Sequence, residues 1–85
     1  MPEISRFLGI VIRMYFGDHV PPHFHAEYGE YHMTVDLANG VVQGRFPPRA
    51  LRLVLEWYEV RKADLDADWA LAVERKPLLP IPPLE

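Results

Sequence analysis

Two runs of alternating apolar and polar residues, joined by a short turn signal, constrain the fold of this chain most. Residues 23–28 and 31–37 place an apolar side chain at every second position, which is the pattern of a strand with one buried face. Gly29-Glu30 between them suits a two-residue hairpin loop with glycine at its first central position. Such a loop fixes the register. The predicted pairs are Tyr28–Tyr31, Glu27–His32, His25–Thr34 and His23–Asp36.

Asn39-Gly40 is a second turn signal and the strongest short one in the chain. With a two-residue loop there, the predicted pairs are Leu37–Val42, Asp36–Gln43, Val35–Gly44 and Thr34–Arg45. Both hairpins then separate apolar and polar side chains onto opposite faces of one sheet, and a slip of one residue in either would destroy that separation. The two turns together predict an antiparallel meander.

The rest of the chain predicts a strand before the hairpins and helices after them. Residues 8–16 are rich in branched and aromatic side chains and are predicted to form one strand. Residues 48–62 and 64–75 carry apolar side chains at helical spacing, and a proline precedes the first helix and follows the second. Residues 76–85 are apolar but interrupted by prolines, which predicts an extended segment.

These elements predict an α+β domain. We expect a single domain over residues 1–85, with a four-stranded antiparallel meander over residues 4–46. Two C-terminal helices cover one face, the apolar one, and an extended proline-rich tail follows them. The opposite face of the sheet is polar and at least partly open.

Composition excludes several classes of protein. The 85 residues contain no cysteine, which excludes disulfides, thiolate zinc ligands and a cysteine nucleophile. The net charge of −3 argues against binding nucleic acid through general attraction to phosphates. The apolar run of residues 7–16 is interrupted by Arg13 and is shorter than the roughly twenty residues of a membrane span. We expect a cytoplasmic protein.

The polar face of the predicted sheet carries a candidate metal site. His23 and His25 alternate on one strand, so their rings point the same way about 7 Å apart along the chain. Two such imidazoles can share zinc or another divalent transition metal. Asp36 is predicted to supply a third ligand or to orient the ring of His23, and His19 is predicted to complete the set. The site would serve a small metal-dependent hydrolase. The alternative is that these are ordinary cross-strand neighbours on a surface.

A second hypothesis is acid–base chemistry without a metal. His25, Glu27 and Arg45 share the predicted polar face and together resemble the base, acid and charge-stabilising group of a metal-independent ribonuclease. The acidic balance of the chain argues against a nucleic-acid substrate.

Several segments of the chain are similar to a known family. They are Pro2–Tyr15, Asp18–Tyr28, which contains Pro-Pro-His-Phe-His-Ala, Arg49–Trp57 and the ending Ile81-Pro-Pro-Leu. The chain resembles the small bacterial family named domain of unknown function 4160, which has no settled activity. Its members resemble partners in two-gene modules, some similar to toxin–antitoxin pairs. The resemblance implies an interaction module with a protein partner encoded nearby.

The sequence leaves some features open. The open sheet face, the terminal strand edge and the proline-rich tail are each candidate surfaces for a partner. The oligomeric state is not decided by the sequence, which is compatible with a homo-oligomer. The isomer of the proline bonds in Val20-Pro21-Pro22 is not decided by the sequence.

Overall fold

The computed structural model describes residues 2–84, so Met1 and Glu85, the ends of the predicted domain, lie outside the described residues. Five strands and two helices form within this range. In chain order they are β1 (Glu3–Phe7), β2 (Ile10–Arg13), β3 (His23–Tyr28), β4 (Tyr31–Asp36), β5 (Val42–Arg45), α1 (Pro48–Val60) and α2 (Lys62–Val73). The strands lie in chain order in one antiparallel sheet. The predicted α+β class is confirmed.

The predicted number of strands is wrong, because the segment before the histidines forms two strands rather than one. Residues 3–7 form β1, and the chain reverses at Leu8-Gly9 before β2 begins at Ile10. Leu8 and Gly9 both have positive φ angles, 51° and 82°, as a tight two-residue hairpin loop requires. A leucine seldom adopts this conformation, so the sequence carries no recognisable signal for the turn. The sheet therefore has five strands over the described residues, not four.

The first predicted hairpin is confirmed in its register. β3 and β4 pair residue for residue around Gly29-Glu30, with His25 opposite Thr34 and His23 opposite Asp36. The apolar side chains of both strands, such as Phe24 and Val35, are buried on one face. The histidines consequently lie on the other face, as a two-residue loop demands.

The register predicted for the second hairpin is wrong by two residues. The observed pairs are Val35–Val42, Thr34–Gln43, Met33–Gly44 and His32–Arg45. The loop is longer because Asp36 Oδ1 accepts the backbone N–H groups of Ala38 at 2.7 Å and Asn39 at 3.2 Å. A side chain that binds the backbone ahead of it forms a wider turn than Asn-Gly alone. Since the difference is an even number of residues, every side chain keeps its predicted face.

The apolar face of the sheet packs against α1, and both helices contribute to one core cluster. The ring of Trp57 lies edge-on to Phe24 with centroids 5.7 Å apart. Tyr58 also packs against Phe24, and its hydroxyl donates a 2.7 Å hydrogen bond to the backbone oxygen of Leu37. These two aromatic residues therefore join α1 to β3 and to the end of β4.

The helix boundaries differ slightly from those predicted. The predicted helix over 48–62 ends at Val60, and the one predicted over 64–75 runs from Lys62 to Val73. Differences of one or two residues are usual at helix ends. Neither helix of the described chain is long and apolar enough to cross a membrane.

Residues after α2 contact three separate parts of the domain. The backbone N–H of Ile81 donates to the backbone oxygen of Ile4 on β1 at 2.7 Å, and Trp57 Nε1 donates to the oxygen of Pro82 at 2.9 Å. Asp68 on α2 is buried, and its Oδ1 accepts the N–H of Leu79 at 3.0 Å. The segment that follows α2 thus lies beside the free edge of β1.

We expect Gly44→Ala to destabilise the domain more than Gly29→Ala. Both glycines have positive φ angles, 113° and 58°, so alanine costs about 1 kcal/mol at either position. A Cβ at Gly44 would also lie 2.5 Å from the backbone oxygen of His32, whereas one at Gly29 meets no described atom within 4 Å. Overpacking adds about 1–3 kcal/mol.

The free energy of unfolding measured in urea should therefore fall by about 1 kcal/mol for Gly29→Ala and by about 2–4 kcal/mol for Gly44→Ala. Equal losses for the two variants would contradict the close approach of β4 and β5 at this position.

Candidate metal centre

The loop between β2 and β3 brings Asp18 over the start of β3. Gly17 donates its N–H to the backbone oxygen of Ala72 on α2 at 3.4 Å, and Pro22 accepts from the N–H of Leu37 at 2.9 Å. The Val20–Pro21 peptide bond is cis. Asp18 Oδ1 accepts the backbone N–H of His19 at 2.9 Å, and the side chain is only 14% exposed. The carboxylate therefore has a defined position on the polar face.

The second oxygen of Asp18 lies between two imidazole rings. Oδ2 is 2.9 Å from His23 Nε2 and 3.1 Å from His25 Nε2. The two rings share a face because their positions alternate along β3, and their centroids are 5.0 Å apart. Candidate ligand atoms of all three residues lie within 4.8 Å of one another. This trio is called the Asp18 cluster below.

The tautomer of His23 is fixed by the backbone. Its Nδ1 lies 2.7 Å from the carbonyl oxygen of Pro21, and because a carbonyl can only accept, Nδ1 must carry the proton. In the neutral ring Nε2 is then unprotonated, and its lone pair faces a carboxylate oxygen of Asp18. Two lone pairs repel at this distance, so the contact requires a proton on one of the two atoms or a cation between them. Proteins also orient metal-binding histidines in this way, with a carbonyl oxygen that accepts the proton of the non-ligating ring nitrogen.

His25 occupies the centre of a short chain of polar contacts. Its Nε2 faces Asp18, and its Nδ1 is 3.1 Å from Nε2 of His32. The ring of Tyr15 meets it edge-on, with centroids 4.6 Å apart. Burial lowers the pKa of His25 and positive charge on His23 and His32 acts in the same direction, whereas the hydrogen bond and charge of Asp18 oppose the shift.

The carboxyl group of Asp18 is stabilised in its ionised form. Burial acts to raise its pKa, but hydrogen bonds from His25 and from the backbone N–H of His19, together with the charges of His23 and His25, hold the pKa below its usual value. An ionised carboxylate beside two imidazoles is a suitable set of donors for a divalent transition metal once the facing Nε2 atoms carry no proton.

Two of the four predicted metal ligands, His23 and His25, belong to the Asp18 cluster, and the other two lie beside it. Asp36 faces His23 across the strands, as predicted, but its Oδ1 binds the following turn. His19 is 85% exposed, and its Nδ1 lies 3.1 Å from Asp18 Oδ1. The structure therefore gathers His23 and His25 around Asp18 rather than around Asp36.

The residues predicted for metal-independent chemistry lie on two strands, His25 and Glu27 on β3 and Arg45 on β5. The Nε of Arg13, on β2, donates to Glu27 Oε1 at 3.3 Å. Arg45 lies on β5 opposite His32, two strands away from His25. The ribonuclease hypothesis stays a prediction with these positions.

Sequence reasoning missed Asp18 and His32. Asp18 lies in a loop, and the path of a loop cannot be predicted from the alternation of polar and apolar residues. The role of His32 could have been found, because the predicted register places it two residues along β4 from Thr34, the partner of His25, on the same face and within reach of a diagonal contact.

A small depression of about 190 Å³ opens beside the Asp18 cluster. It is lined by His19, Pro21, His23, His25, Thr34, Asp36, Val41 and Gln43. This volume is below the roughly 300 Å³ at which pockets begin to hold drug-sized ligands. Any substrate must be small or must present only a small group here.

A family model described as a domain of unknown function (DUF4160) matches residues 9–70. The chain belongs to the DUF4160 family. The match spans β2 to most of α2 and includes all three residues of the Asp18 cluster. No curated protein matches this DUF4160 chain, and no solved structure matches it.

We expect Asp18→Asn to lower the pKa of His25 in the metal-free DUF4160 domain. The Asp18 carboxylate is the group that raises this pKa against the effect of burial, so its removal leaves the lowering effects unopposed. Asp36→Asn is the matched control, because it removes the same charge from the same face and keeps an oxygen that can bind the turn. The measurement is the pH dependence of the His25 Cε1–Hε1 resonance. A higher pKa in Asp18→Asn than in the unaltered protein would contradict the described contacts.

Proposed function

We propose that this domain binds a divalent transition metal such as zinc or iron through Asp18, His23 and His25. One observation carries the proposal: Asp18 Oδ2 lies 2.9 and 3.1 Å from two Nε2 atoms while the Nδ1 proton of His23 is held by Pro21. When His23 is neutral, that arrangement sets an unprotonated nitrogen against a carboxylate, and a cation between them would relieve the repulsion.

The spacing of the donor atoms supports the proposal. With metal–ligand bonds of about 2.1 Å, neighbouring donors lie about 3.0 Å apart in an octahedron and about 3.4 Å apart in a tetrahedron. The two distances at Asp18 Oδ2 are close to the octahedral value and also match N–H···O hydrogen bonds, so little movement separates the metal-free site from a metal-bound one. Two histidines and one carboxylate with open positions form a ligand set that proteins use for catalytic metals.

The activity that we propose for this site is hydrolysis of a small substrate. A metal with three protein ligands supplies an activated water and polarises a bound oxygen. The residues of the depression would then act on the substrate itself. Thr34 and Gln43 offer a hydroxyl and an amide for hydrogen bonds, while the exposed side chain of Val41 provides an apolar wall.

Metal titration of protein purified without a histidine tag tests the proposal. We expect one Zn²⁺ or Co²⁺ per chain by isothermal calorimetry. Loss of an outer partner of a ligand weakens metal binding by about 10- to 100-fold, and Asp18→Asn or His23→Gln removes a ligand and should weaken it more. Asp36→Asn should bind as tightly as the unaltered protein, because its side chain still binds the turn.

Two results would contradict the proposal. One is the absence of stoichiometric binding to the unaltered protein. The other is equal affinity in Asp18→Asn and the unaltered protein, since the carboxylate is then not a ligand. If metal binds, the loaded protein should cleave an activated ester or phosphodiester faster than the metal-free protein does.

A second candidate function is a partner-binding module in the cytoplasm, such as one half of a toxin–antitoxin-like pair. One edge of the sheet, β1, is contacted by the segment that contains Ile81. The opposite edge, β5, exposes Gln43, Gly44 and Arg45, and an exposed strand edge can pair with an extended segment of another protein. The proposed partner is the product of the neighbouring gene.

Co-expression with that gene is the test. The two products should co-purify, and backbone amides of residues 42–45 should gain protection from hydrogen exchange while those of residues 3–7 do not change. Separation of the two proteins on purification, or protection confined to other segments, would remove this candidate.

A further inference from the structure

We infer that His32 is a positioning residue for the metal site: it accepts a hydrogen bond from His25 Nδ1 and so leaves His25 Nε2 bare toward Asp18. The inference rests on the metal site proposed above. It assigns to His32, an exposed residue of β4, the same task that the carbonyl of Pro21 performs for His23.

The contact between the two rings holds one proton. His25 Nδ1 and His32 Nε2 are 3.1 Å apart, and a hydrogen bond needs a donor on one side and a lone pair on the other. If His32 donates, neutral His25 carries its proton on Nε2 and cannot ligate a metal through that atom. If His25 donates, its Nε2 is bare, which is the state in which imidazole binds metals.

A cation beside Asp18 favours the second arrangement, because it repels a proton on His25 Nε2. Both histidines of the Asp18 cluster would then have the same tautomer. His23 would donate from Nδ1 to Pro21, and His25 would donate from Nδ1 to His32. A hydrogen-bond acceptor at the non-ligating ring nitrogen fixes the orientation of a ligating histidine and raises its basicity.

The surroundings of His25 hold its ring in place for this role. Tyr15 meets the ring edge-on, and Asp18 lies at Nε2, so a rotated ring would lose contacts on both sides. His32 is flanked by Glu27 on β3 and Arg45 on β5, its partners across the strands. Glu27 is paired with Arg13 at 3.3 Å, whereas the described contact of His25 Nδ1 is with His32 Nε2.

Two variants at the same exposed position test the inference. His32→Gln retains an acceptor atom at the same number of bonds from the backbone, whereas His32→Leu removes it. We expect Zn²⁺ affinity to stay within about threefold in His32→Gln and to fall by about 10- to 100-fold in His32→Leu. Long-range ¹H–¹⁵N spectra should show His25 protonated on Nδ1 in the zinc-loaded unaltered protein and in His32→Gln.

Equal Zn²⁺ affinity in His32→Leu and the unaltered protein would overturn the inference. If Asp18→Asn still weakens binding in that case, the metal site stands and only the role of His32 fails. If the unaltered protein binds no Zn²⁺, the proposed function fails instead. A spectrum in which the His25 Nδ1 proton is no different in His32→Leu would also contradict the hydrogen bond.

Discussion

The register between β3 and β4 is the constraint on which the rest of this structure depends. It is set by the short reversal at Gly29-Glu30, and it assigns each side chain of both strands to one of two faces. Phe24 and Val35 join the core on one face, and His23 and His25 share the other. A shift by one residue would place imidazoles in the core and phenylalanine beside Asp18.

The sheet and the loop contribute different groups to the Asp18 cluster. The sheet supplies two imidazoles whose separation is fixed by strand geometry. The loop supplies the carboxylate and also the carbonyl of Pro21, which selects the tautomer of His23. Since the ends of the loop are tied to Ala72 and Leu37, the position of the carboxylate depends on α2 and on the end of β4. The site is therefore built by contacts that also stabilise the fold.

The sequence predicted those parts of the structure that follow from alternation. The β3–β4 pairing and the shared face of His23 and His25 come from period-two patterns and one glycine turn, and the α+β class follows when the helical spacing after residue 48 is added. The β1–β2 hairpin was missed because Leu8 adopts a conformation that side chains rarely take. The second turn was predicted too short because Asp36 binds its backbone. Asp18 was missed because its role comes from the path of a loop, which has no sequence period.

The buried carboxyl of Asp68 gives acidification two opposed effects on this domain. Burial raises its pKa, the N–H of Leu79 partly offsets this, and the charge of Asp64 adds to it. The folded state therefore holds this proton more readily than the unfolded chain does, and the contribution to stability is lost as pH rises through the raised pKa. Mild acid thus removes the cost of a buried charge at Asp68 and favours the folded state, although the N–H of Leu79 itself favours the ionised carboxylate. The same acid adds protons to imidazole nitrogens, which bind a metal only when unprotonated. Acid would therefore oppose metal binding at the proposed site while it stabilises the folded state through Asp68.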